Sequence, residues 1–143
     1  MTTDFRQVVR DSLQTLNAST ESAIRRELST SFDLGHSERL QFEIDPVYYG
    51  IHLIQTEETI IDGDTVYDLI PFDILNAVEE SGIDPFAVIA DEIVAWFADR
   101  WRAAEGPKHY SPAYVFFHGG LHSPRYDLEH KRWHSVEEVW PDD

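Results

Sequence analysis

Residues 84–107 run DPFAVIADEIVAWFADRWRAAEGP, and they predict the most regular element of this 143-residue sequence. Asp84 followed by Pro85 is typical of a helix start, because an aspartate can accept hydrogen bonds from free backbone amides and proline suits the first helical position. Large apolar residues then recur at helical spacing, and Gly106-Pro107 ends the pattern. We therefore predict a helix over residues 85–104 with one face against a core. The apolar face consists of Phe86, Ile89, Ile93, Phe97 and Trp101.

Two other segments show helical patterns. Residues 5–29 carry an apolar stripe that predicts either one long helix or two helices separated near 17–20. Residues 71–80 predict a shorter helix, with a proline in its first turn and a glycine after its end. The helices over 71–80 and 85–104 are therefore consecutive in the chain.

Elsewhere the apolar residues alternate with polar ones, which is the period of a strand with one exposed face. The run Ala113–Phe117 is apolar throughout and predicts a buried strand. Asp62-Gly63-Asp64 lies between two short β-type segments and is typical of a tight hairpin, because glycine accepts a positive φ. The predicted strands cover residues 39–45, 48–53, 59–61, 65–67, 113–118 and 126–131.

These patterns predict one α+β domain over residues 1–143, with an N-terminal helix and an antiparallel sheet of about five to six strands. The two consecutive helices would pack on one face of this sheet. A last short helical turn, with Val136 and Val139 on one side, would follow Ser135.

Composition excludes several classes of protein. The sequence has no cysteine, so disulfides, thiolate metal sites and cysteine nucleophiles are ruled out. No apolar run reaches the ~18 residues of a membrane-spanning helix, and the N-terminus carries charges where a signal peptide needs an apolar stretch. Serine-hydrolase, zinc-protease and phosphate-loop motifs are missing. We expect a cytoplasmic protein that binds no membrane.

The charge is concentrated in the middle of the chain. Between Arg39 and Arg100, sixty residues contain fourteen aspartates and glutamates and no lysine or arginine, and this segment accounts for nearly all of the net charge of −16. Such a field attracts a basic protein or a cation and repels nucleic acid. The alternative is that the charge only maintains solubility, although about 2–8 net charges usually suffice for a small domain.

Within this acidic middle, the predicted hairpin and the end of the first of the two consecutive helices offer the best contacts for a basic partner. Trp96 lies off the apolar stripe of its helix, and aromatic residues are enriched at the centres of interfaces. At least one of the four tryptophans should be exposed. The predicted contact residues are Glu57, Glu58, Asp62, Asp64 and Asp68, with Glu79, Glu80 and Trp96 as secondary members.

Histidines gather in the C-terminal part and suggest an alternative. If the strands over 113–118 and 126–131 formed a hairpin, His118, His122 and His130 could converge on zinc or another divalent metal, with Glu129 as base or outer partner. The alternative interpretation is ordinary histidines at strand ends and in loops.

Two functions follow from these observations. The first is a non-enzymatic, acidic binding module that captures a basic protein and needs no cofactor. Its most concrete version is an immunity or antitoxin protein that inhibits a basic, nuclease-like toxin. The second is a small metal-binding protein or metal-dependent hydrolase that uses the C-terminal histidines. The sequence does not determine the oligomeric state.

Overall fold

The helix predicted over residues 85–104 is present in the computed structural model, where it runs from Pro85 to Ala103. A carboxylate oxygen of Asp84 accepts hydrogen bonds from the backbone amides of Phe86 and Ala87, at 3.0 and 3.4 Å, so the predicted cap forms. The structure describes residues 5–29, 39–45, 49–110, 112–119 and 123–139.

Helices and strands occur in blocks along the described chain, as expected for an α+β domain. The first block contains α1 (Phe5–Gln14), α2 (Asn17–Leu28), β1 (Leu40–Ile44), β2 (Ile51–Leu53) and β3 (Thr59–Ile61). The second contains α3 (Gly63–Leu69), α4 (Phe72–Glu80), α5 (Pro85–Ala103) and a short 3-10 turn at Gly106–Lys108. The third contains β4 (Ala113–Phe117), β5 (Arg125–Asp127), β6 (Arg132–His134) and α6 (Val136–Val139).

The described strands form one mixed sheet in the order β3-β2-β1-β4-β5-β6. The prediction of a wholly antiparallel sheet is wrong at its centre, because β1 and β4 pair in parallel from Leu40 opposite Ala113 to Ile44 opposite Phe117. The other neighbouring pairs are antiparallel. The 113–117 run is apolar because β4 is buried on both faces. On the face opposite the core, the ring of Tyr114 meets that of His134, and the guanidinium group of Arg125 lies over the ring of Phe116.

The core lies between this sheet and α5. Phe42 of β1 meets the rings of Phe97 and Trp101 edge to face, with ring centroids 5.0 and 5.6 Å apart. Alternate residues of β1 point into this core and are buried, whereas Gln41 and Glu43 point to the opposite face. The helix α5 therefore rests on the face of the sheet that presents Phe42.

The N-terminal stripe forms two helices and not one, because the chain turns between Gln14 and Asn17. Both α1 and α2 pack against α5. The carboxylate of Glu92 on α5 accepts hydrogen bonds from Arg6 and Arg10 of α1, at 3.0 and 2.9 Å. These charged hydrogen bonds join the N-terminal helix to α5 in addition to the apolar packing.

The predicted hairpin at Asp62-Gly63-Asp64 is wrong. The strand β3 ends at Ile61, and α3 begins at Gly63, with Asp62 at its N-cap position. The backbone of Gly63 lies so close to Gly50 that a Cβ on Gly50 would be 2.8 Å from the Gly63 Cα atom. The chain thus leaves the sheet here to start the helical part of the connection to β4, which a tight hairpin would not allow.

The strand predicted over 126–131 is shorter and is followed by a second strand. Pairing with β4 ends at Asp127, and the chain turns through Lys131, which has a φ of 56°. The next strand, β6, then pairs with β5. The predicted helical turn after Ser135 is confirmed as α6.

Within the described residues, no helix is both long and apolar enough to cross a membrane.

Gly106 provides a test of how tightly α5 is packed at its C-terminal end. A Cβ at this position would overlap the aromatic carbons of Trp101, which is fully buried and cannot move aside. We expect Gly106→Ala to lower the free energy of unfolding by about 2 kcal/mol through overpacking, measured by urea denaturation. Gly119→Ala is the control, because its new Cβ meets only the flexible hydroxyl of Ser123 at 3.0 Å. Equal stability of the two variants would contradict this account.

Candidate functional site

Most acidic residues of the middle segment fall into two groups, and the first group is paired. Glu92 is only 9% exposed and is neutralised by Arg6 and Arg10. Asp91 also lies 3.6 Å from Arg6, and Asp99 pairs with Lys131. The carboxylates of α5 are therefore balanced by cations from α1 and from the β5–β6 turn.

Glu92 shows how strongly this pairing acts. Burial would raise the pKa of its carboxyl group, but the hydrogen bonds and positive charges of Arg10 and Arg6 outweigh burial and lower that pKa below 4.5. This carboxylate is thus part of the fold and is charged at neutral pH.

The second group is exposed, and none of its carboxylates forms an ion pair with another described residue. We call residues 57–80 the acidic segment. It includes seven of the eight predicted contact residues, all except Trp96, and one further aspartate, Asp73. Asp64 lies in α3, and its side chain is outside the described part of the structure. The exposed carboxylates of the acidic segment are Glu57, Glu58, Asp62, Asp68, Asp73, Glu79 and Glu80.

Exposed apolar side chains lie in and beside the acidic segment. Phe72 is 65% exposed at the start of α4, Ile83 is 51% exposed in the following turn, and Phe86 is 44% exposed at the start of α5. Phe86 was predicted to face the core, so that assignment is wrong. In α4, Leu75 is the buried residue that anchors the helix. The outer surface of α4 and of the α4–α5 turn therefore combines carboxylates with apolar groups.

Trp96 does not belong to this surface. It is 9% exposed, and its indole nitrogen donates a hydrogen bond to the side chain of Asn17 at 2.7 Å. The prediction placed it outside the core because only one apolar face of α5 was expected, whereas α1 and α2 cover a second side of this helix. The expectation of an exposed tryptophan is confirmed by Trp133, which is 43% exposed.

The predicted histidine cluster is not brought together. Tyr114 of β4 is paired with Asp127 of β5, so His118 follows one end of this strand pair and His130 follows the other. Four residues of strand between Tyr114 and His118 alone span about 13 Å. His130 Nδ1 lies 2.9 Å from Asp127. His122 lies outside the described residues.

His118 instead contacts Glu43, which in turn contacts His52, and the sequence did not single out either of these two residues. Its Nδ1 lies 3.0 Å from one carboxylate oxygen of Glu43, and Nε2 of His52 lies 3.3 Å from the other. Glu43 and His52 are direct partners across β1 and β2, while His118 follows β4, the parallel neighbour of β1. One carboxylate thus links residues of three adjacent strands.

These three side chains border a cavity of about 500 Å³, which we call the β1–β4 cleft. It opens at the carboxyl ends of the parallel strands β1 and β4, which is where ligands bind in open sheets with parallel strands. The cleft is lined by Glu43, Asp45, Gly50, Ile51, His52, Thr59, Ile61, Asp62, Gly63 and His118.

The electrostatics of the β1–β4 cleft centre on Glu43. Its hydrogen bond and then its negative charge raise the pKa of His118 above the ordinary value of 6.5, and the charge of Asp45 acts in the same direction. Within the described part of the chain, no group of three or more histidines and carboxylates has the arrangement of a metal site. The cleft can therefore hold a positive charge through its carboxylates and exchange a proton through His118.

The sequence contains part of the information needed to predict this cleft. The alternating pattern places Glu43 and His52 on the exposed faces of two consecutive strands, which an antiparallel pair brings together. The contribution of His118 could not be found in this way, because it depends on the parallel pairing of β1 with β4.

Comparison with protein-family models, curated proteins and solved structures finds no match to this chain.

The link between Glu43 and His118 predicts a pH effect. Since the folded protein raises the pKa of His118, protonation of this residue stabilises the fold fully below the unfolded pKa near 6.5, and the stabilisation is lost as pH rises through the higher folded pKa. We expect Glu43→Gln to lower the pKa of the His118 imidazole, measured by NMR titration of its ring protons. Glu138→Gln, which removes the negative charge beside His134 instead, is the control and should leave the pKa of His118 unchanged. A His118 pKa that does not change in Glu43→Gln would exclude the pairing.

Proposed function

We propose that this protein is a non-enzymatic binding module that captures a basic protein. The observation that carries the proposal is the acidic segment, whose exposed carboxylates have no cationic partner among the described residues although the carboxylates of α5 do. The paired group shows that this chain neutralises acidic residues where the fold requires it. The unpaired group is therefore available to a partner.

Charge complementarity supports a basic protein as the partner. Exposed carboxylates of one sign raise the rate of association with a positively charged protein by orders of magnitude at low salt, and they repel nucleic acid and acidic proteins. A net charge of −16 exceeds what solubility usually needs in a small domain.

The exposed apolar side chains of this region favour a binding surface over a surface that serves only solubility. A surface that served only to keep the protein dissolved would not need Phe72 and Ile83 at more than half exposure. Interfaces commonly combine an apolar centre, which is dehydrated on binding, with a polar or charged rim. The carboxylates would guide the encounter, and the apolar groups would slow dissociation.

The concrete form of this function is an immunity or antitoxin protein that inhibits a basic, nuclease-like toxin. Nucleases bind phosphates through clustered lysines and arginines, so an acidic module that covers such a cluster blocks access of the nucleic acid. A protein that protects the cell in which it is made would act in the cytoplasm. This form needs neither a cofactor nor a catalytic residue in the module.

Charge reversal in the acidic segment tests the proposal. The partner is first recovered from native lysate at low salt, released with a salt gradient, identified by mass spectrometry and purified. We expect Glu79→Lys/Glu80→Lys to lower the association rate about tenfold at low salt, with less effect near physiological ionic strength, where exposed charges are screened beyond ~8 Å. Stopped-flow fluorescence measures the rate.

Asp11→Lys/Glu137→Lys is the matched control, because it changes the net charge by the same amount at two exposed positions outside the acidic segment. Phe72→Ala should raise the dissociation rate while leaving the association rate almost unchanged. If the control slows association as much as the reversal of Glu79 and Glu80, the effect comes from net charge alone and the proposed surface is wrong.

A further inference from the structure

The β1–β4 cleft differs from the rest of the acidic middle because it is concave. Its wall carries the carboxylates of Glu43, Asp45 and Asp62, and it contains no lysine or arginine among the described residues. Ile51 and Ile61 contribute apolar atoms to the same wall. A cavity of about 500 Å³ is large enough for one long side chain or a small organic molecule.

We propose that the β1–β4 cleft binds the cationic end of one lysine or arginine side chain of the basic partner. This inference rests on the proposed function and gives it a specific anchoring site. The carboxylates would receive the ammonium or guanidinium group, and the isoleucines would contact the methylene groups behind it.

Glu43 is the residue best placed to receive the charge. Its side chain is 19% exposed, so its interaction with a bound cation is less screened than that of the fully exposed carboxylates of the acidic segment. His52 and His118 each contact one of its oxygens, at 3.3 and 3.0 Å, and hold the carboxylate in one orientation. A charged group that is already oriented loses little freedom on binding.

The wall chemistry favours an organic cation over a metal ion. A divalent ion needs several oxygen or nitrogen ligands arranged around one point, and the described residues provide no such group. Lysine and arginine have a cationic end on a flexible apolar stem, which suits a wall that is acidic in one part and apolar in another. The close backbone approach of Gly50 and Gly63 holds the two sides of this wall together.

A proton on His118 competes with the bound cation. The charged groups that act on His118 are Glu43 of β1 and Asp45 just after β1, and Asp62 lines the same cleft. His52 of β2 contacts the other oxygen of Glu43, and the positive charge of Arg125 of β5 also acts on Glu43. When His118 is protonated, it neutralises Glu43, and the cleft attracts a cation less strongly. Binding should therefore become tighter as pH rises through the raised pKa of His118.

The test uses the free protein and a small probe, so it does not depend on the partner. N-butylguanidine, which carries one guanidinium group on a four-carbon apolar stem, is titrated against isotope-labelled protein at pH 8 and at pH 6, and NMR signals of His52 and His118 are followed. We expect millimolar binding that shifts these two signals and weakens at least threefold at pH 6. N-butylurea is the neutral probe of similar shape and should not bind.

Two variants assign the binding to the cleft. Glu43→Gln should weaken N-butylguanidine binding about tenfold, and Asp62→Asn, which changes an exposed side chain and leaves the His52–Glu43–His118 contacts intact, should weaken it about threefold. Glu58→Gln removes an acidic charge outside the cleft and is the control. Equal binding by all three variants, or shifts spread over the acidic segment with none at His118, would overturn the proposal.

The outcomes also separate this inference from the proposed function. N-butylguanidine binding in the cleft, combined with a partner that is insensitive to Glu79→Lys/Glu80→Lys, would retain the cation site and reject the acidic segment as the capture surface. A partner that responds to those reversals while N-butylguanidine fails to bind would reject only the cleft.

Discussion

The parallel pairing of β1 with β4 is the constraint on which the rest of this structure depends. Parallel neighbours cannot be joined by a tight turn, so the chain from Asp45 to Pro112 has to travel back along the sheet before β4 can run beside β1 in the same direction. The described residues of this long connection, 49–110, form two further strands and three α-helices. It places α5 over Phe42, and it brings the ends of β1 and β4 together at the cleft. The antiparallel strands on each side extend a sheet whose centre is already determined.

The distribution of carboxylates shows that one type of residue has two physical roles in this chain. Glu92 is held between two arginines and joins α1 to α5, whereas Glu79 and Glu80 project from α4 into water. Buried charges have to be paired because leaving water is costly, whereas exposed charges can remain unpaired at little cost. The net charge of −16 alone does not distinguish these roles, because it counts both groups equally.

Local patterns in the sequence predict the elements of this fold better than they predict its pairing. The cap at Asp84 and the apolar spacing behind it depend on neighbours within a few residues, and α5 is therefore predicted almost to its last residue. Leu40 and Ala113 are seventy-three positions apart, and no local pattern indicates that they are partners. For the same reason His118 could be recognised as a candidate, but its contact with Glu43 could not. Trp96 was misplaced because a single helix does not reveal how many neighbours will cover it.

The shallow anchoring of α4 has a consequence for the motions of this protein. Leu75 is its buried residue, with Ile74 and Val78 only partly covered, while α5 contributes a continuous row of buried side chains. Segments with few buried apolar contacts open at a free energy well below that of global unfolding, so the amide protons of α4 should exchange with solvent long before those of α5. The surface that carries Phe72 and Glu79 is thus also a part of the described fold that can rearrange without disturbing the core. If α4 is the contact helix that we propose, it can adjust to a partner while α5 and the sheet remain unchanged.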